Sequence, residues 1–185
     1  MDLGFRMHAE RTPNPNSIKW VLGQAVADVV ASAAFEKGVR AEVSPLAAGI
    51  ASVDGVTGVL LGPNFVTVTK REGAEWTVLA APIVAAIKTW AASGTSALGP
   101  EFEPPRAADD DEVVAKIRTI LERDVRPYVE QDGGEIRFAG YHDGVVEVVL
   151  QGACAGCPSS SITLKMGIEA RLKDEIPEVR SVVAL

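Results

Sequence analysis

The sequence predicts the α+β class, as two small α+β domains joined by a flexible linker. Three observations carry this. Residues 94–108 read Gly-Thr-Ser-Ala-Leu-Gly-Pro-Glu-Phe-Glu-Pro-Pro-Arg-Ala-Ala, a stretch rich in proline and glycine and poor in apolar residues, as connecting segments are. The chain on either side of it carries its own complete set of helix and strand patterns. The second side reads helix, strand, strand, helix, strand, an α-β-β-α-β order that lays helices on one face of a small sheet. The expected boundaries are 1–93 for the first domain, 94–108 for the linker and 109–185 for the second domain.

In the first domain, Arg11-Thr12-Pro13-Asn14-Pro15-Asn16 is a turn-rich lead into Ser17–Leu22, whose alternation predicts a strand. Residues 25–43 are ambiguous between helix and strand. Ser44-Pro45 supplies an N-cap and a first helical residue for a short helix ending before Asp54-Gly55. Val56–Leu61 and Phe65–Lys70 are expected as two strands joined across Gly62-Pro63-Asn64. A helix then begins near Trp76, with Ile83, Ile87 and Trp90 forming an apolar stripe. Thr67, Thr69 and Lys70 are expected on the solvent face of their strand.

The second domain opens on Asp109-Asp110-Asp111-Glu112, which reads as helix-capping charge rather than a cation site. The helix is expected to run to Val125, bend at Pro127 and stop before Asp132-Gly133-Gly134. Glu135–Tyr141 alternates, His142-Asp143-Gly144 turns the chain, and Val145–Leu150 returns it. A helix from Pro158 to Glu175, with Leu164, Ile168 and Leu172 four apart, leads to a last strand at Val179–Ala184.

Composition bounds the function. The chain has 185 residues, 47% of them hydrophobic, enough for buried cores. Its net charge of -7 argues against nucleic acid as a partner, and no stretch approaches a membrane span, so a membrane is not expected either. Residues 1–10 show neither a secretory nor an organellar pattern, which places the expected location in the cytoplasm. His8 and His142 are expected to be surface residues. No phosphate loop, His-containing metal motif or Ser-His-Asp arrangement is visible, so the chain is not expected to be an enzyme.

The chemistry is concentrated in Gln151-Gly152-Ala153-Cys154-Ala155-Gly156-Cys157-Pro158, which holds both cysteines of the chain. Two cysteines three apart do not make a disulfide framework and fit a reducing compartment. Their place between a strand and a helix favours thiolate, the metal-ligating form, because the first helical turn presents unpaired N–H groups and the positive end of the helix dipole. A lone Cys-x-x-Cys serves redox enzymes, zinc sites and iron–sulfur proteins alike. A thioredoxin-like enzyme places it after the first strand of a βαβ unit, whereas here a hairpin precedes it. A zinc site within one chain would need a second cysteine pair.

Asp132-Gly133-Gly134, the Gly152–Ser160 stretch, Thr163-Leu164-Lys165-Met166-Gly167-Ile168-Glu169 and Glu175-Ile176-Pro177-Glu178-Val179 follow one another in the order seen in the C-terminal module of the NifU-like or Nfu-type iron–sulfur cluster proteins. Thr12-Pro13-Asn14-Pro15-Asn16, Ser44-Pro45-Leu46-Ala47 and Phe65–Lys70 resemble that family's N-terminal module. The resemblance implies a carrier or late scaffold that receives a [4Fe–4S] cluster from an upstream assembly scaffold and passes it to apo-proteins. Cys154 and Cys157 match the family's cluster ligands. The chain lacks the separate cysteine-bearing scaffold domain of the nitrogen-fixation protein. A [4Fe–4S] cube takes four thiolates and one chain supplies two, so the cofactor is expected to bridge two subunits of a homodimer at an exposed boundary. A thiol–disulfide oxidoreductase or a structural zinc protein using the same cysteines is the alternative.

Overall fold

The computed structural model describes residues 5–26, 32–104, 112–156 and 161–185. The first unit is a five-stranded antiparallel sheet. Its strands are β1 (Met7–Arg11), β2 (Ser17–Leu22), β3 (Ala33–Glu36), β4 (Val56–Leu61) and β5 (Phe65–Lys70), in the order β1-β2-β5-β4-β3. Two helices, α1 (Pro45–Ala51) and α2 (Trp76–Ser93), cover one face. Ser44 caps α1 as expected, its hydroxyl accepting from the Ala47 N–H, and Pro45 sits in the first turn, where no N–H is needed. The apolar stripe of α2, including Ile83 and Ile87, packs on the face that carries Trp20, Val59, Leu61, Val66 and Val68.

β1 was not foreseen. It is an edge strand paired only with β2, its residues half-buried or exposed, so Met7–Arg11 has no apolar alternation to reveal it. α2 also corrects the expectation about membrane spans. At 18 residues with a mean hydropathy of 1.2 it has the length and composition of a spanning helix, and here its stripe is spent on the core.

The opposite face of the sheet is covered as well. Lys19, Thr67 and Leu60 lie side by side across β2, β5 and β4. Thr67 and Leu60 are almost completely inaccessible because the second unit packs there. The solvent face expected for Thr67 is therefore a domain interface.

The second unit has the expected order. α3 (Glu112–Ile120) continues through a wider turn, Leu121–Val125, into α4 (Arg126–Gln131). β6 (Gly134–His142) and β7 (Val145–Gly152) form the predicted hairpin across Asp143 and Gly144, both at positive φ. α5 (Ser161–Glu175) then leads to β8 (Ser181–Ala184), which lies parallel to β7. The bend expected at Pro127 takes the form of a π turn: the Arg126 N–H reaches back to Leu121 O, five residues away. Pro127 has no N–H, and its ring would collide with the Arg123 carbonyl in a regular helix, so the ladder widens just ahead of it. Ile117, Ile120, Leu121 and Val129 close the core with Ile168, Leu172 and Val182.

The stretch expected to be a flexible linker begins as part of the first unit. Ala97 is buried and its carbonyl accepts from the Ser44 hydroxyl at 2.6 Å. The N–H groups of Gly99 and Glu101 donate to Val43 O and Glu42 O, and Phe102 packs on Phe35. These bonds anchor 97–102, so the connection is shorter than its composition suggests. The expectations for 105–108 and for the capping residues Asp109–Asp111 lie outside the described residues.

Candidate functional site: the cysteine turn

β7 ends at Gly152, whose φ of 62° turns the chain away from the sheet, and residues 153–156 form the turn that follows. Gly134 pairs with Gly152 at the end of the hairpin. A Cβ on Gly134 would overlap the Cys154 Sγ, so the glycine of Asp132-Gly133-Gly134 is the floor on which the sulfur rests. Within its own domain the turn is tied by Ala153 N–H to Gly133 O at 3.1 Å and by Ala155 N–H to Gly152 O at 3.2 Å.

Cys154 is only 6% exposed and belongs to the second core, whereas Ala155 and Gly156 are exposed. The hairpin end tucks this sulfur inward, behind the exposed residues of the turn. Cys157 and Pro158 lie outside the described residues. Among the described residues no three His, Cys, Asp or Glu side chains converge to hold a metal ion. His8 and His142 are exposed and far from ligand geometry, His8 bonding to Glu10 at 3.0 Å.

Cys154 lies in the wall of an open groove of about 590 Å³, bounded by Val125, Tyr128 and Val129 on one side and Leu164, Gly167 and Ile168 of α5 on the other. Tyr128, Ile162 and Met166 are strongly exposed on the helices that frame it. Asp124 and Arg171 close one end with an ion pair of 2.7 Å. The Asp124 carboxyl is pulled down to about 2, first by its hydrogen bond to Arg123 and then, against some burial, by Arg171, so it is ionised throughout the physiological range.

Sequence reasoning missed what the first unit brings to this site. Pro13 lines the same groove as Cys154. Asn14 Nδ2 donates to Ala155 O at 3.1 Å, and Lys19 Nζ donates to Glu130 O and Gln131 O at 2.8 and 3.1 Å. Beside them Gly133 (φ 74°) approaches so closely that a Cβ would come within 2.8 Å of Thr67 Oγ1. The signal was present in Thr12-Pro13-Asn14-Pro15-Asn16, a rigid polar loop, but nothing in it pointed across to the cysteines. Glu135 was also missed. It is 1% exposed, with Arg126 Nε 3.2 Å away at an angle too oblique for a hydrogen bond.

Residues 7–94 match the family described as the scaffold protein Nfu/NifU N terminal, and residues 117–183 match the NifU-like domain. Over 179 residues the chain is 41% identical to the human "NFU1 iron-sulfur cluster scaffold homolog, mitochondrial", covering 95% of this chain and 70% of that protein. It is 42% identical to the protein of the same description from Drosophila erecta, of whose length it spans 63%. A solution structure of a NifU-like protein from Saccharomyces cerevisiae superposes with a TM-score of 0.48 at 20% identity, covering 55% of this chain and 92% of that one. The expected cytoplasmic location is corrected by these relatives, which are described as mitochondrial. That expectation rested on residues 1–10, of which Met7–Glu10 belong to β1.

Proposed function

Because the chain belongs to the NifU-like and Nfu family of iron–sulfur cluster scaffold proteins, we propose that it is a carrier that holds a labile [4Fe–4S] cluster and hands it to apo-proteins. Cys154 and Cys157 of two copies supply the four thiolates. The supporting observation is the turn itself: a cysteine seated on a glycine floor at the end of a hairpin, beside an open groove. Gly134 leaves the room that the Cys154 sulfur occupies, while the exposed Ala155 and Gly156 leave the outer half of the turn approachable.

Transfer is then ligand exchange. Each acceptor thiolate forms one Fe–S bond as one bond to a carrier cysteine breaks. The proton lost by the acceptor thiol is balanced by one taken up by the released carrier thiolate, and no iron changes oxidation state. A bridge between two chains can be dismantled one arm at a time, so the cluster is never without ligands.

Anaerobic reconstitution, with iron and sulfide counted per chain and the mass followed by sedimentation, tests the reading. One [4Fe–4S] per two chains in a dimer is expected, and Cys154→Ala or Cys157→Ala should each abolish retention. A full cluster on a monomer would remove the bridge. Uptake of zinc alone, or a Cys154–Cys157 disulfide that turns over with thiols, would remove the carrier.

A further inference from the structure

We infer that Asn14 is a positioning residue for the cysteine turn, and that through it the N-terminal domain sets how long a cluster is held; this rests on the carrier reading above. Ala155, whose carbonyl accepts from Asn14 Nδ2 at 3.1 Å, is one of the two residues between the cysteines. The inner half of the turn is tied within its own domain through Ala153 and the Ala155 N–H. The outer half is exposed, and the tie on its carbonyl comes from 141 residues away in sequence.

Asn14 is itself held before it meets the turn. Only 3% exposed, it accepts the Asn16 N–H on Oδ1 at 2.9 Å, and its own N–H donates to Thr12 Oγ1 at 3.2 Å. Its carbonyl accepts the Ser17 N–H and the Thr12 hydroxyl. The loop is anchored further by Trp76 Nε1 donating to Pro15 O and by Lys70 Nζ donating to Asn16 Oδ1. With Oδ1 committed inside the loop, only Nδ2 faces the turn, and it can only donate. The first domain therefore presents a fixed donor to a carbonyl whose movement would swing the cysteine arm. Loss of a ligand requires that arm to open, so a hydrogen bond that resists opening lengthens the life of the cluster.

Asn14→Asp in the full chain removes the donor and sets an anion against the Ala155 carbonyl. The carboxylate still accepts from Asn16 and keeps the loop, but it has no donor for Ala155. Hydrogen exchange of the apo protein should rise about fivefold in residues 153–156, the weight of one hydrogen bond, with protection in β2 and β5 unchanged. Iron release from the loaded protein to a chelator should accelerate by a similar factor, and Asn14→Ala should reproduce both effects. Unchanged exchange in 153–156, or a rise spread evenly through the first domain, would overturn the inference. So would faster exchange without faster release. If no cluster is bound at all, the carrier reading fails on its own, while the exchange measurement still decides whether Asn14 holds the turn.

Discussion

Glu135 is the one carboxylate buried almost completely among the described residues, and it shows what strand alternation can and cannot say. Alternation put Ile136 on the core face and Glu135 on the other, which is correct, but that other face is covered. Burial raises the Glu135 carboxyl above the usual carboxylate value, with the Ser32 hydroxyl and the Arg126 charge pulling it back only in part. A raised folded-state pKa means that the folded protein holds the proton more tightly than the unfolded chain. The burial penalty is absent below the unfolded value of about 4.5 and grows as pH rises through the folded value. Glu135→Gln should therefore match wild type in thermal stability near pH 4 and exceed it at pH 7. Arg126 is not stranded by the change, since it also lies 3.7 Å from Glu122. Melting curves across that range check this, and a gap that is largest at pH 4 would reverse the assignment.

At the scale of elements, the floor under the cysteine is the sharpest case. Gly134→Ala adds a methyl where the Cys154 sulfur already sits and where Val129 leaves 3.2 Å, so the turn must shift or the hairpin must open. Overpacking of this kind costs about 1–3 kcal/mol, and chemical denaturation of the C-terminal domain should show that loss together with weakened iron retention. An unchanged midpoint would mean that the turn has room the structure does not show. Elements of this kind were legible when a local rule sufficed: Ser44-Pro45 for α1, Asp143-Gly144 for the hairpin, Ile83 and Ile87 for α2. The cysteine turn stood out because it holds both cysteines of the chain, but a Cys-x-x-Cys serves several chemistries, and only the resemblance of the flanking stretches pointed to a cluster. What escaped needed a partner to be seen: β1 is defined by pairing with β2, and 97–102 by bonds to Glu42, Val43 and Ser44.

At the scale of the molecule, the docking of the two domains was hard to read from the sequence, because the hydrogen bonds that Asn14 and Lys19 donate across it end on backbone carbonyls. Lys19 donates to two carbonyls at the end of α4, where the helix presents unpaired acceptors and the negative end of its dipole. Its ammonium also lies 4.7 Å from the Phe65 ring, and its side chain is only 12% exposed. A lysine on an alternating strand reads as a solvated one, and Thr67 beside it misleads in the same way. Lys19→Glu replaces the cation with an anion facing those carbonyls, which reverses the attraction and leaves a buried charge unpaired. The domains should then separate while each keeps its core, since Lys19 lies on the sheet face opposite to α1 and α2. Small-angle scattering of the apo protein should give a radius of gyration near the roughly 16 Å of a compact chain of this length for wild type, and a clearly larger value for the variant. Lys19→Met, which keeps an apolar side chain of similar length but loses the two donated bonds, the charge over Phe65 and the ion pair with Glu10, should fall between them. Equal radii for all three would mean that the Gly133 and Gly152 contacts with Thr67 and Leu60 hold the domains together without Lys19. Separation in Lys19→Glu should also free the outer half of the cysteine turn, because the lysine and Asn14 hold the same face to the same domain.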